Sequence, residues 1–343
     1  MDFGSIGLPA LLAVFAAATL VVAVAGTRIT RLADRLADET GLGEAMTGAL
    51  LLGIATSLAG TVVSVSAAFE GLASLAYANA IGGIAAQTAF LAIADLVYRR
   101  ANLEHASAEL ANILQAALLS LLLGLPLAAA TGPDVTVLGV HPVSLALPVI
   151  WFLGAQAGAR ARERPMWRPV GTPETREDVP ESDTGRRSLP AMFLRFVALA
   201  AVLGAAGWTI SRTGARISEI TGLSATAVGA LMTAVSTSLP ELVTTLAAVR
   251  RGAVQLAVGG IIGGNTFDVL FLTFSDVAYR EGSLHHAIER SDLFWLAVAL
   301  VSTAVLLLGL IVRERRGLGG IGFESAAVLA IWLGAAAVQV WLG

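Results

Sequence analysis

Residues 236–241 read Ser-Thr-Ser-Leu-Pro-Glu, and residues 263–268 read Gly-Gly-Asn-Thr-Phe-Asp. Each stretch places one carboxylate, Glu241 or Asp268, well inside a long apolar run. A charge near the middle of a bilayer is expensive, so its presence there points to function. Pro240 has no N–H, the Ser236 carbonyl loses its helical donor, and a kink is expected. The freed carbonyl, the Thr237 and Ser238 hydroxyls and the Glu241 carboxylate form an oxygen-rich set suited to hard cations. Asn265 adds an amide oxygen nearby. Blander readings exist for parts of this set. Thr237 and Ser238 can simply back-bond to the preceding turn, and the glycines at 259, 260, 263 and 264 can simply let helices pack closely. Glu241 is harder to explain away: no arginine lies inside a neighbouring span, which leaves a bound ion or a proton as its partner.

Moving outward, the chain matches itself without gaps at a shift of 181 residues, with 16 identities in the 44 positions from 56 to 99. Thr56-Ser57-Leu58 falls on Thr237-Ser238-Leu239, Ile81-Gly82-Gly83 on Ile262-Gly263-Gly264, and Asp95, Tyr98 and Arg99 on Asp276, Tyr279 and Arg280. Apolar helices match one another by composition, but these polar and glycine motifs do not. Asp95/Arg99 and Asp276/Arg280 read as i, i+4 acid–base pairs anchoring span ends at the interface.

Ten stretches reach the length of about 20 apolar residues that a spanning helix needs: 6–26, 45–68, 72–97, 108–131, 136–158, 189–209, 224–249, 253–278, 291–312 and 322–342. The fold class is therefore all-α and integral to the membrane, with about ten transmembrane helices in two five-helix repeats. Five is odd, so the second repeat enters from the opposite side; such inverted repeats place their site at the midplane between them. The segment before the first span holds Asp2 and no basic residue, unlike a cleaved signal peptide. The repeats occupy 1–158 and 189–343, and the polar stretch 159–188 reads as a flexible linker.

All 22 basic residues are arginine. Most follow the odd-numbered spans, from Arg28 and Arg99 to Arg250 and Arg313, and only Arg212, Arg216, Arg280 and Arg290 lie on the other side. The arginine-rich side should be cytoplasmic, which puts the 159–188 loop inside the cell and both termini outside, in a multi-pass protein of the cell membrane. A charged fraction of 14% and a net charge of −3 give no footprint for nucleic acid. Cysteine is absent, which removes disulfide and thiol chemistry. There is no phosphate-binding loop and no nucleophile elbow. His105, His141, His285 and His286 lack metal-ligand spacing, so neither an enzyme nor a bound cofactor is expected.

These motifs resemble the calcium/cation antiporter superfamily, the sodium/calcium exchangers in particular, whose inverted repeats carry Gly-Thr-Ser-Leu-Pro-Glu and then Gly-Ser-Asn-x-Phe-Asn/Asp. The resemblance implies a midplane cation site with Glu241 and Asp268 as acidic ligands, assisted by Thr237, Ser238 and the Ala234 carbonyl. It also implies alternating access, with spans one and six sliding against the core. The first repeat departs: it reads Ala55-Thr56-Ser57-Leu58-Ala59-Gly60 and has Gln87 opposite Asp268, so it offers Thr56, Ser57 and Gln87 but no carboxylate. Glu70 is too far along, near the outer end of span two.

The expected function is secondary active antiport of inorganic cations, Na⁺ against Ca²⁺. A cation/proton antiporter is the alternative, and a transport-inactive sensor or scaffold is a third reading from another class. The two carboxylates give the site a charge of −2, matching one Ca²⁺, two Na⁺ or two H⁺. Three Na⁺ would leave an excess positive charge in a low dielectric, so the exchange should depart from three-to-one.

Overall fold

The computed structural model describes residues 6–40, 46–165, 167–172, 188–317 and 320–342. The first half holds α1 (Leu8–Thr40), α2 (Met46–Phe69), α3 (Ala73–Tyr98), the short α4 (Leu103–Ser107), α5 (Leu110–Thr131) and α6 (Pro142–Glu163). The second half repeats this order. It has α7 (Leu189–Thr221), then a segmented helix of α8 (Ala225–Ala227), a π-helical turn (Val228–Thr233), α9 (Ala234–Thr237) and α10 (Leu239–Arg251). Then come α11 (Val254–Asp268), α12 (Leu270–Ala278), a 3-10 turn (Leu284–His286), α13 (Arg290–Val312) and α14 (Phe323–Leu342). Among the described residues, eight helices are long and apolar enough to cross a bilayer, with α11 and α12 counted as one. The pair 225–237 and 239–251, bent by 45°, makes a ninth. The 24-residue α2 takes the remaining place in the repeat.

The bend falls at Ser238, directly before the Leu239-Pro240 pair, where the missing proline N–H was expected to break the helix. The π-turn upstream of it left no mark in the sequence. α1 and α7 are each 33 residues long, roughly 50 Å, well beyond the apolar runs at 6–26 and 189–209. Arg28, Arg31, Arg35, Arg212 and Arg216 therefore lie on helices, not in loops. An apolar stripe continues beneath the charges: Ile29, Ala33 and Leu36 on α1, and Ile210 and Ile217 on α7, are buried, so the two helices go on packing along each other.

α3 and α11–α12 form the interior, and α3 is buried along nearly its whole length. Of the glycines at 259–264, Gly259 makes a close approach, to Asn112 of α5, where a Cβ would lie 2.7 Å from the side-chain oxygen, and other glycines seat the core helices on one another. A Cβ on Gly82 would lie 2.5 Å from the Ala230 backbone, which seats α3 on the π-turn. Gly26 abuts Pro240, and its repeat mate Gly207 would place a Cβ 2.7 Å from the Ala59 carbonyl, so α1 and α7 cross the core at equivalent points. By contrast Gly260 has nothing within 4 Å.

The acid–base pairs at the span ends do not form. α3 ends at Tyr98 because Arg99 turns left-handed, with φ 53°, and α12 ends at Ala278, so no fourth residue follows each aspartate on one helical face. Asp95 instead accepts from Leu103 N at 2.8 Å and Gly322 N at 2.9 Å. Asp276 accepts from Leu284 N at 2.7 Å and His141 N at 2.8 Å. All three positions correspond at the 181-residue shift. Each aspartate holds its own repeat's connection and the chain entering the last helix of the opposite repeat.

α6 runs on to Glu163, past the expected boundary at 158. Most of the expected linker, residues 166 and 173–187, lies outside the described residues.

Candidate cation site

The break at Ser238 turns the 237–241 segment toward α3 and α2. Thr56, Ser57, Gly60, Asn79, Gly83, Gln87, Thr237, Ser238, Glu241, Asp268 and Phe271 line one pocket. Seven of the nine residues singled out in the sequence are among them. The two carboxylates thus face one cavity, Glu241 with 7% and Asp268 with 2% of its surface exposed.

Asp268 is held by the other repeat. Ser57 Oγ donates a short hydrogen bond to its Oδ1, and Gln87 Nε2 donates to its Oδ2 at 2.7 Å. The same Gln87 nitrogen reaches Ser238 Oγ at 3.2 Å. Glu241 is held less tightly: its Oε2 is buried without a hydrogen-bond partner, and so is Gln87 Oε1. These are the oxygens a cation could take without breaking an existing bond. Among the described residues no group of three or more carboxylates or imidazoles is placed to hold a metal ion. A cation here would be shared by two carboxylates and neutral oxygens, with no basic side chain in the lining.

Ala234 and Asn265 stand behind the pocket. The Ala234 carbonyl accepts from Ser238 N at 3.1 Å and Thr237 Oγ1 at 3.2 Å. Thr237 Oγ1 also bonds to Thr233 O at 3.0 Å, the back-bond foreseen for it. Asn265 Nδ2 points at Thr88 Oγ1, 3.0 Å away, and so joins α11 to α3.

Two features escaped the sequence reading. Asn79 lines the pocket, donates to Gly60 O at 3.1 Å and accepts from Thr233 Oγ1 at 2.8 Å. Its signal was present, an amide well inside an apolar run. Phe271 gave no signal: its ring fills the space beside Gly60, where a Cβ would lie 2.7 Å from Cε2. The place of the missing first-repeat carboxylate is thus occupied by an aromatic ring. Glu70 pairs instead with Arg212 on α7, at 2.6 Å.

Known proteins share this architecture. The structure resembles the crystal structure of the H⁺/Ca²⁺ exchanger CAX with a TM-score of 0.68 at 13% identity, over 97% of this chain and 86% of that one. It resembles the sodium-calcium exchanger NCX_Mj with a TM-score of 0.60 at 16% identity, over 95% and 98%. In sequence it is 27% identical to the inner membrane protein YrbG of Escherichia coli (strain K12) over 328 residues, 94% of each chain. A 91-residue stretch is 33% identical to the sodium/calcium exchanger MaX1 of Methanosarcina acetivorans, covering 26% of this chain and 25% of that one. The family model described as sodium/calcium exchanger protein matches residues 10–152 and 191–341, one segment for each repeat. With two repeats matched across most of its length, this multi-pass membrane protein belongs to the sodium/calcium exchanger family, within the calcium/cation antiporters.

Proposed function

We propose that this chain exchanges Na⁺ for Ca²⁺ by alternating access, with both ions using the pocket between α2, α3, α10 and α11. One observation carries the reading: Glu241 and Asp268 share a buried pocket lined by hydroxyl and amide groups and by no basic residue. A cation between them neutralises both, so the loaded protein changes state without exposing bare charge to lipid. Thr56, Ser57, Gln87, Thr237 and Ser238 supply neutral oxygens, and Ala234 and Asn265 hold the backbone behind them. The arginine distribution supports placement in the cell membrane with the 159–188 loop cytoplasmic and both termini outside.

A site with two carboxylates is neutralised by two protons as well as by one Ca²⁺, so Ca²⁺/H⁺ exchange is the competing reading. Purified protein in proteoliposomes, loaded with Ca²⁺ and diluted into Na⁺, K⁺ or pH gradients, separates them. Na⁺-driven Ca²⁺ flux at equal pH on both sides is expected. Flux driven by a pH gradient alone assigns the proton reading, and no flux under any gradient returns the chain to a sensor or scaffold role.

A further inference from the structure

Away from the pocket, at the arginine-rich end of the bundle, a second pair of acids is buried. Glu104 on α4 is 1% exposed and Glu324 at the head of α14 is fully buried. The two are neighbours: Ser325, the residue after Glu324, bonds to Glu104, and Glu104 feels the charge of Glu324. Three of the four oxygens, Glu104 Oε2 and both of Glu324, have no donor from the protein. The fourth, Glu104 Oε1, accepts from Ser325 Oγ at 3.1 Å. Space for Glu324 is made by two glycines: a Cβ on Gly309 would lie 2.5 Å from its Cγ, and one on Gly322 2.5 Å from its Oε1.

The surrounding charges do not neutralise the pair. Asp95, from α3, is saturated by two backbone N–H groups. Glu314, beyond α13, adds negative charge. Arg313 directs its guanidinium at the Val170 and His105 carbonyls. His105 Nδ1 lies 2.7 Å from the Arg313 carbonyl. Among the described residues no basic side chain is within ion-pair distance of Glu104 or Glu324. Two bare carboxylates side by side, buried and with one donor between them, are not tenable.

The repeat shows that the fold does not require this pair. The 181-residue shift sets Glu104 on His285, Glu324 on Val143 and Ser325 on Ser144. At the other end His285 Nε2 meets Ser144 Oγ at 2.9 Å, and burial pushes the imidazole down to about 4, so it stays neutral. The same frame therefore closes there around an uncharged ring.

We propose that Glu104 and Glu324 form a proton-binding site separate from the transport pocket, in which one carboxylic acid donates to the other's carboxylate and ties α4 to the head of α14. One proton enters from solvent and the pair keeps a single negative charge. Burial first, then the charges of Glu324 and Asp95, hold the Glu104 carboxyl well above the usual carboxylate range. A carboxyl raised on folding binds its proton more tightly in the folded protein. Its stabilisation is complete below the unfolded value and is lost as pH rises through the folded one.

The test is thermal unfolding of the purified full chain from pH 5 to pH 9 with a chelator present, comparing wild type with Glu324→Gln and Glu104→Gln. Either glutamine donates N–H to the remaining carboxylate without a proton. Titration of the transport carboxylates is common to all three proteins and cancels. The wild-type Tm should fall with rising pH by about 2–4 °C more than that of either variant. Variants that track the wild type at every pH overturn the proposal. So does failure of both to fold, because each mimics the singly charged pair. A rise in the wild-type Tm when Ca²⁺ replaces the chelator, lost in Glu324→Gln, assigns the pair to a divalent cation instead.

Discussion

Gln87 and Asp268 occupy the same position in the two repeats, 181 residues apart, and they hydrogen-bond to each other at 2.7 Å across the pocket. The internal symmetry thus brings a neutral amide onto the carboxylate that it replaces in the first repeat. A site charge of −2 follows from that single difference and from Gly60 standing opposite Glu241. Gln87→Glu adds a third negative charge beside Asp268. At an effective dielectric of about 20, like charges 3 Å apart repel by roughly 5 kcal/mol, and one more cation relieves this. The variant should carry about one more positive charge per cycle than wild type. Reversal-potential measurements of Ca²⁺ flux at set Na⁺ gradients read the coupling directly, and an unchanged ratio would mean that site charge does not set the stoichiometry.

Glu241→Gln separates stability from transport. The Glu241 Oε2 is buried and accepts no hydrogen bond from the protein, a position that costs about 1–3 kcal/mol. Replacing the charge with an amide should leave expression intact, abolish exchange and raise the Tm in ion-free buffer. Calcium should lose its stabilising effect on the variant, since a ligand stabilises only the state it binds. Wild-type exchange rates in Glu241→Gln would remove the carboxylate from the mechanism.

Gly60→Glu tests whether the first repeat can regain its carboxylate. Even a Cβ there would lie 2.7 Å from Phe271 Cε2, so the side chain enters only if the ring leaves. Overpacking of this kind costs about 1–3 kcal/mol, and the single variant should be destabilised with no gain in Ca²⁺ affinity. Combining it with Phe271→Ala should recover stability in part and strengthen Ca²⁺ binding, read by isothermal titration. Equal stability of Gly60→Glu and wild type would show that the ring moves freely.

The deep features of the site were legible in the sequence because lipid makes them conspicuous. Two carboxylates and a proline in apolar helices, with a gapless repeat, fixed both the inverted architecture and the meeting of Glu241 with Asp268. Features near the ends of spans were not legible, since polar residues are ordinary there. Glu324 sits in the first turn of α14, where an acid is unremarkable, yet it is fully buried. The spacing of Asp95 and Arg99 fits a helical pair, but it presumes a helix through residue 99, and α3 ends at Tyr98. The length of α1 and α7 was hidden because charges end an apolar run without ending a helix.

The cross-repeat staples give the last prediction. Asp276 joins Leu284 N to His141 N, and Asp95 joins Leu103 N to Gly322 N. Both carboxylates are fully buried, and each satisfies two backbone donors with charge-assisted hydrogen bonds. An amide has one accepting oxygen, so asparagine keeps one N–H paired and sets its own NH₂ against the other, which is left without an acceptor. Asp276→Asn and Asp95→Asn should each lose about 2–4 kcal/mol of stability. The two sites have no partner in common, so the losses should add in the double variant. Neither aspartate lines the pocket, so the protein that remains folded should keep its Ca²⁺ affinity. Thermal unfolding gives the first quantity and calorimetric titration at low temperature the second. A variant with normal stability and altered affinity would make these aspartates part of the ion pathway rather than the frame around it.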